Sequence, residues 1–290
     1  VPDRVATYRL QFNSLFDFDS AKNVVPYLCE LGVSHIYASP IFEARSGSTH
    51  GYDVVNPNRL NPELGCKEDF RALFLTLEKY GLGWIQDFPP NHMAYAYRNW
   101  MLMDVLENGE GSRFFGFFDV DWGHPCGELE GRLLAPFLSG SFEEHLMRGD
   151  FRLGFGRLGF TVCYFDVVFP LAMESYWCFL SFVADKLGVM HRFYVDLMEL
   201  VEVLDGLSLD PETRAVQVDF VKNRLWRLYS GDAEFKQVLD EMLVVLGGEK
   251  GKPESFGFLS WLLSGQRFKL CCWRTANGLI NYRGFFPINF

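Results

Sequence analysis

Three short apolar runs, separated by amphipathic stretches, open the chain. They lie at residues 5–11, 33–38 and 84–88. Brief apolar runs of this kind are typical of strands buried in a parallel sheet. The two stretches between them each place apolar residues on one helical face, at Ala21, Val24, Leu28 and Leu31 and then at Phe70, Leu73, Phe74 and Leu77. The alternation predicts parallel strands joined by helical crossovers, with Pro26 kinking the first helix or shifting its start.

The pattern changes after residue 92. Residues 93–173 are rich in glycine and aromatic residues and alternate at 159–165, which predicts an inserted domain of short strands and loops. Residues 174–276 then show helical periodicity, with a helix start at Asp210 and Pro211. The pattern therefore predicts an α/β part at residues 1–92, a β/loop insert and a helical insert.

Polar side chains follow the third apolar run. Asp87 lies near the end of that run and Asn91 and His92 come shortly after it, and polar groups at the C-terminal ends of parallel strands point to where ligands bind. An ordinary strand-to-helix turn is the alternative. In that case Asp87 and Asn91 satisfy backbone groups and His92 lies on the surface.

A glycine-marked loop at residues 46–54 follows the second run and contains His50, Tyr52 and Asp53. A tyrosine ring can stack on the apolar face of a sugar, while a neighbouring carboxylate accepts hydrogen bonds from hydroxyl groups. A turn around a packed aromatic ring is again the alternative. The residues alone leave both interpretations open.

Together the two loops resemble the first parts of the α-amylase superfamily pattern. The sequence around them is similar to one branch of that superfamily, the maltooligosyltrehalose synthases. The similarity spans essentially the whole chain. The segments that carry it are residues 7–12, 25–28, 31–40, 47–54, 61–65, 90–94, 104–109, 118–122, 273–274, 280–283 and 285–286.

The resemblance implies an α/β fold, a partial (β/α)8 TIM barrel. Residues 1–92 would supply its first three β/α units, residues 93–173 and 174–276 the two inserts, and residues 277–290 the return towards the fourth strand. Pro287 stands where an aspartate is usual in the family. Because proline lacks a backbone donor and fixes φ, it puts the entry to that strand in doubt.

The activity implied is an intramolecular transglycosylation, that of a (1→4)-α-D-glucan 1-α-D-glucosylmutase. Such an enzyme converts the reducing-end α-1,4 linkage of a maltooligosaccharide to the α,α-1,1 linkage of trehalose. In this scheme Tyr52 stacks under the sugar and His92 binds one of its hydroxyls. The implied substrate-binding residues are Gln11, His50, Tyr52, Asp53, Asp87, Asn91 and His92. The nucleophile and the acid/base are expected beyond Phe290, so we expect no catalytic residue in this chain and no activity from it alone.

Two other hypotheses stay open. The chain could be a non-catalytic, glucan-binding remnant, or part of an α-glucan hydrolase of the same superfamily that releases free sugar. Asp119 and Asp121 are two carboxylates on one side of an extended segment. We expect them in a loop or at a substrate rim rather than in catalysis, and we expect His35 to be a core or interface histidine with its hydrogen bonds satisfied.

Charge and cysteine content narrow the class of partner. A formal net charge of −10 disfavours nucleic acid and anionic membranes, whereas a neutral oligosaccharide is compatible with it. No apolar stretch approaches the roughly 20 residues of a membrane helix. The seven cysteines are odd in number and scattered, which argues against a disulfide framework or a zinc site and favours a reducing cytoplasm. We expect no metal and no cofactor, and the family branch does not demand calcium at Asn91.

Overall fold

The computed structural model describes residues 5–282, which divide into two compact units. The first unit extends to residue 100 and the second begins at residue 101. The predicted return towards a fourth strand at residues 277–290 falls largely on positions 283–290, which lie outside the described residues, as does Pro287.

The first unit alternates strands and helices. Its elements are β1 (Thr7–Leu10), α1 (Phe18–Glu30), β2 (His35–Ala38), β3 (Phe42–Ala44), β4 (Val54–Leu60), α2 (Lys67–Tyr80) and β5 (Gly83–Gln86). The three predicted strands are confirmed as β1, β2 and β5, each shorter than the apolar run that predicted it. They form one parallel sheet in the order β1–β2–β5.

The helices of the first unit bury their predicted faces with two exceptions, Leu31 and Phe74, and Phe74 is 38% exposed. Asp17 caps α1 by accepting a hydrogen bond from the Ser20 amide at 2.8 Å. The helix therefore starts at Phe18 and passes through Pro26 to Glu30, so the expectation that Pro26 shifts the helix start is wrong. Leu31, predicted on the buried face, is 55% exposed. It lies past the last helical residue, where the 3.6-residue period no longer fixes side-chain direction.

His35 in β2 is 2% exposed, as predicted for a core histidine. Its Nδ1 lies 3.0 Å from the Ser34 hydroxyl, but its Nε2 has no hydrogen-bond partner among the described residues. The expectation that both ring nitrogens are satisfied is therefore wrong. Gly83 allows the ring to lie there, because a Cβ at that position would meet His35 Nε2 at 2.4 Å.

A β-hairpin that the sequence did not predict carries the loop at residues 46–53. β3 and β4 pair antiparallel, with Ala44 opposite Val54, and the Arg45 amide donates to the Asp53 carbonyl at 3.0 Å. The loop therefore starts and ends on a paired base. The hairpin sets the conformation of the loop, rather than α2, the next helix along the chain.

The second unit combines short sheets with helices. Its elements are α3 (Trp100–Asn108), β6 (Leu133–Leu138), α4 (Phe142–Arg148), β7 (Phe151–Gly156), β8 (Gly159–Tyr164), β9 (Val167–Pro170), α5 (Tyr176–Leu187), α6 (Tyr194–Asp205), α7 (Pro211–Gly231), α8 (Ala233–Leu246), α9 (Gly257–Ser264) and β10 (Phe268–Cys272). β7, β8 and β9 form an antiparallel sheet, and β10 pairs parallel with β6.

The predicted helix start at Asp210 is confirmed, because its carboxylate accepts from the Thr213 amide at 2.9 Å. The helical interpretation fails at β10, where a five-residue strand lies inside the segment predicted to be helical. That run is apolar and too short for periodicity to separate helix from strand. None of the helices within residues 5–282 is long and apolar enough to cross a membrane.

Candidate functional site

The strand register of the first unit brings polar side chains together at one end of its sheet. Arg9 of β1 lies opposite Tyr37 of β2, and the Arg9 guanidinium carbon is 4.7 Å from the centre of the Tyr37 ring. Asp87 directly follows β5, and its amide donates to the Ala38 carbonyl at 2.9 Å. Asp87 is therefore held where the second and third strands end, as the sequence predicted.

Tyr52 reaches this strand end from the hairpin loop. Its hydroxyl donates a hydrogen bond to Asp87 Oδ2 and accepts one from Arg9 Nη2 at 2.9 Å. Arg9 Nη1 lies 3.2 Å from the same Asp87 oxygen. We call these three residues the Arg9–Tyr52–Asp87 cluster. Each contacts the other two, so the position of the Tyr52 ring is fixed by two separate strands.

Burial and hydrogen bonds set the protonation states of the cluster. Burial raises the pKa of Asp87, but hydrogen bonds from Tyr52, Arg9 and Tyr37 outweigh it and hold that pKa below its ordinary value. The hydrogen bond to Asp87, helped by burial, raises the pKa of Tyr52. At neutral pH the cluster therefore contains an ionised carboxylate, a protonated phenol and a guanidinium cation, and Asp87 has no proton to donate as a general acid.

The loop between β3 and β4 is braced internally by Asp53 and His50. Asp53 accepts a hydrogen bond from the Ser48 hydroxyl, and the His50 Nδ1 accepts one from the Tyr52 amide at 3.1 Å. Gly51 adopts φ +76°, and a Cβ there would lie 2.6 Å from the Pro40 carbonyl oxygen. Only glycine fits this close approach, which places Tyr52 beside the strand ends.

His92 connects the turn after β5 to the hairpin loop. Its Nε2 lies 3.0 Å from the Tyr52 carbonyl oxygen and its Nδ1 lies 3.0 Å from Asn91 Oδ1. Because a carbonyl oxygen only accepts, the contact is a hydrogen bond in the tautomer that carries the proton on Nε2. His92 therefore holds the Tyr52 backbone, while the cluster holds the Tyr52 side chain.

Gln11 completes the set. Its side-chain amide nitrogen Nε2 donates to the carbonyl oxygens of Thr49 and His50, at 3.3 Å and 3.2 Å. The structure thus brings the seven predicted binding residues into the strand ends and adjoining loops of one unit, and it adds Arg9, which the sequence analysis did not select. Arg9 lies in β1 two positions before Gln11, so a continued two-residue period places it on the same side as Gln11 but gives no signal for its pairing with Asp87.

The other candidates lie elsewhere. Asp119 and Asp121 belong to the second unit, so they are not members of the Arg9–Tyr52–Asp87 cluster. Within residues 5–282, no three histidine, cysteine, aspartate or glutamate side chains are grouped so that they could hold a metal ion. All seven cysteines are free thiols. The cluster can therefore offer hydrogen bonds, an aromatic face and balanced charges to a ligand.

Comparison with known proteins gives a consistent set of relatives. The family model for the alpha amylase catalytic domain matches residues 17–115. A Mycobacterium tuberculosis protein assigned as a maltooligosyl trehalose synthase is 38% identical over 179 residues, covering 59% of this chain and 22% of that protein. The chain therefore spans only a small part of the length of this relative.

Solved structures agree with the sequence comparison. The DSM5389 glycosyltrehalose synthase is 27% identical with a TM-score of 0.62, and the match covers 98% of this chain and 29% of that one. The maltooligosyltrehalose synthase of Arthrobacter ramosus, 24% identical, shows the same fold with a TM-score of 0.61 over 98% of this chain and 27% of its own. These matches imply a (β/α)8-like fold. The predicted resemblance is confirmed: in sequence and in fold the chain is similar to maltooligosyl trehalose synthases, and its residues 17–115 match the alpha amylase catalytic domain.

Proposed function

We propose that this chain forms the sugar-binding strand ends of a glucan-rearranging enzyme of the trehalose-forming type. The Arg9–Tyr52–Asp87 cluster is the observation that carries the proposal, because it fixes an aromatic ring and two hydrogen-bonding groups at the ends of parallel strands. Ligands bind at this edge in barrel enzymes. The names of the relatives support a maltooligosaccharide as the substrate.

In this proposal Tyr52 stacks beneath one glucose ring. Its hydroxyl is tied to Arg9 and Asp87, so little side-chain entropy remains to be lost when a sugar binds. His92 Nε2 already faces the Tyr52 carbonyl. We expect it to contact a sugar hydroxyl only as part of a rearranged hydrogen-bond network, so its main effect is on the position of Tyr52.

The proposed mechanism is a retaining one in which a carboxylate attacks the anomeric carbon and a second carboxyl group, about 5 to 5.5 Å away, acts as acid and base. Asp87 does not suit the acid, since its hydrogen bonds keep it ionised. We therefore propose that the strand ends hold the sugar and that the nucleophile and the acid/base come from positions outside these 290 residues. We further propose that the parallel sheet supplies the first three β/α units of a barrel, with residues 93–173 and 174–276 as inserts.

The test has two arms. The purified chain should bind maltopentaose in calorimetry and yield neither a non-reducing product nor free glucose. A chimera that adds the remaining part of the Mycobacterium tuberculosis relative should form the non-reducing product, and Tyr52→Ala in that chimera should reduce it. Turnover by the chain alone that is lost in Asp87→Asn would contradict the assignment. Free glucose as the main product of the chimera would support the hydrolase alternative, and binding without turnover in the chimera would support a non-catalytic remnant.

A further inference from the structure

Two tryptophans of the second unit line one cavity of about 490 Å³. Trp177 of α5 is 45% exposed and Trp261 of α9 is 54% exposed. A large apolar ring left half-exposed carries a hydration cost that burial against a ligand would remove. We call this cavity the tryptophan cleft. All of its lining residues belong to the second unit.

A second cavity of about 560 Å³ adjoins the tryptophan cleft, since Glu130, Gly131 and Arg267 line both. It contains another aromatic surface, formed by the stacked rings of Phe115 and Trp122, whose centres are 5.1 Å apart. Each cavity lies within the usual size range of small-molecule sites. Because they share lining residues, we treat the two cavities as one continuous groove.

The charges along the tryptophan cleft are balanced. Glu130 and Glu174 line it together with Arg132 and Arg267. Arg267 Nη2 donates to Glu174 Oε2 at 2.8 Å, and the Arg267 and Arg214 guanidinium groups hold the pKa of Glu174 below its ordinary value although burial raises it. An anionic or cationic ligand would meet groups of its own sign here. A neutral ligand that is rich in hydroxyl groups would meet both donors and acceptors.

The floor of the tryptophan cleft is preformed. Gln266 is 2% exposed, its Oε1 accepts from the Ala172 amide at 2.7 Å, and its Nε2 donates to the Leu262 carbonyl at 2.8 Å. These bonds tie the residues beside α5 to those of α9. The two tryptophans are therefore held on a fixed base, which lowers the entropic cost of binding.

We propose that the tryptophan cleft and its neighbouring cavity bind a linear α-glucan, with Trp177 and Trp261 stacking on successive parts of the sugar chain. The choice of glucan rests on the proposed function. The aromatic surfaces match the apolar faces of glucose rings, and the balanced polar rim matches their hydroxyl groups. A nucleic acid would require an excess of positive charge, which a chain of net charge −10 does not supply.

The test is calorimetric titration of the full chain with maltoheptaose. Trp177→Ala and Trp261→Ala should each raise the dissociation constant for maltoheptaose by about fivefold or more. Trp261→Phe should keep most of the affinity, because the ring face is retained. Trp273→Ala is the matched control, because Trp273 is also 54% exposed but lines neither described cavity. Circular dichroism of each variant checks that it folds.

Unchanged affinity in both tryptophan variants, or failure of the wild-type chain to bind maltoheptaose, would overturn the inference. Tyr52→Ala separates this result from the proposed function. Loss of all maltoheptaose binding in Tyr52→Ala with unchanged affinity in the tryptophan variants would support the strand-end site and show that the groove does not bind the glucan. A loss of maltoheptaose affinity in the tryptophan variants with unchanged affinity in Tyr52→Ala would support binding in the groove and count against the strand-end site. If Trp273→Ala loses as much maltoheptaose affinity as the two cleft variants, the effect is non-specific stacking, and this result would also overturn the inference.

Discussion

The phenol of Tyr52 donates a hydrogen bond to the carboxylate of Asp87, a residue 35 positions further along the chain. The Tyr52 side chain therefore has two distinct parts, a hydroxyl that bonds to Asp87 and a ring face that is available to a sugar. Tyr52→Phe keeps the ring face and should change maltopentaose affinity by less than about threefold. Tyr52→Ala removes the face and should cost about 1–3 kcal/mol of binding free energy. Calorimetry on both variants measures the difference.

The folded state should tolerate both changes, because the Tyr52 backbone keeps its bonds to His50 and His92. A large fall in Tm for Tyr52→Ala with unaltered affinity would show that the ring packs the protein and does not hold the sugar. An equal loss of affinity in Tyr52→Phe would assign the effect to the hydroxyl instead.

Asp87 should make stability depend on pH in a defined direction. Its folded-state pKa is lowered, so its ionised form stabilises the protein above the ordinary carboxyl range near pH 4, and this contribution is lost as the pH falls through the folded-state pKa. Asp87→Asn should therefore lower the free energy of unfolding at pH 7, by about 1 kcal/mol since Arg9 is solvent-accessible. Urea titrations between pH 3 and pH 7 should show this difference shrinking in acid. A difference that is constant over that interval would contradict the ionic role.

His92→Ala should weaken transition-state binding by roughly 1.5–3 kcal/mol in a complete enzyme that contains this chain. The physical reason is the contact between His92 Nε2 and the Tyr52 carbonyl, which holds the loop that presents the Tyr52 ring. The measurement is kcat/KM on maltopentaose. Asn91→Ala should have a smaller effect, because it leaves the contact of His92 Nε2 with the Tyr52 carbonyl in place. Unchanged kcat/KM in His92→Ala would remove His92 from the site.

Sequence periodicity was sufficient to predict the parallel sheet, but it was insufficient to predict the hairpin whose loop completes the site. The buried strands are short apolar runs, and pairing in a parallel sheet follows from their alternation with helices. β4 was missed because it contains Pro57 between two asparagines, and an internal proline argues against a strand. The loop chemistry was readable at Tyr52 and Asp87, because each carries a side chain that suits sugar binding.

Arg9 shows what a sequence cannot supply. A single arginine in a strand is consistent with solvent exposure, and only the register that places Arg9 opposite Tyr37 brings its guanidinium to Asp87. The charged partners are 78 positions apart. Their pairing is a product of tertiary structure, because neither residue has a local signal for the other.

A buried ion pair in the second unit gives a fourth prediction. Glu107 of α3 is 4% exposed, accepts a hydrogen bond from Tyr176 at 3.0 Å and pairs with Lys222 of α7. Lys222→Met would leave the carboxylate buried without its cation. The variant should lose about 3–5 kcal/mol of unfolding free energy near pH 7.

The deficit of Lys222→Met should shrink in acid, as the Asp87 difference does, but for a different reason. Burial raises the pKa of Glu107 although Lys222 lowers it, so removing Lys222 should raise that pKa further. The folded variant then binds a proton more readily than the unfolded chain, and its deficit should shrink as the pH falls. Lys236→Met is the control, since Lys236 forms an exposed pair with Asp240 one helical turn away, and exposed pairs contribute little, so this variant should lose far less unfolding free energy. Equal losses in the two variants, measured by urea denaturation, would contradict the buried-pair interpretation.

The sheet order β1–β2–β5 leaves β1 and β5 each paired on one side among the described residues. Amide groups on their outer sides therefore lack the protection that a neighbouring strand gives, whereas those of β2 are covered on both sides. Hydrogen–deuterium exchange should be slow in β2 and fast at alternate positions of β1 and β5. Any polypeptide that docks on either edge and extends the sheet would slow exchange at those positions alone. Hydrogen exchange at the two edge strands would thus report any extension of this sheet, residue by residue and without an enzymatic assay.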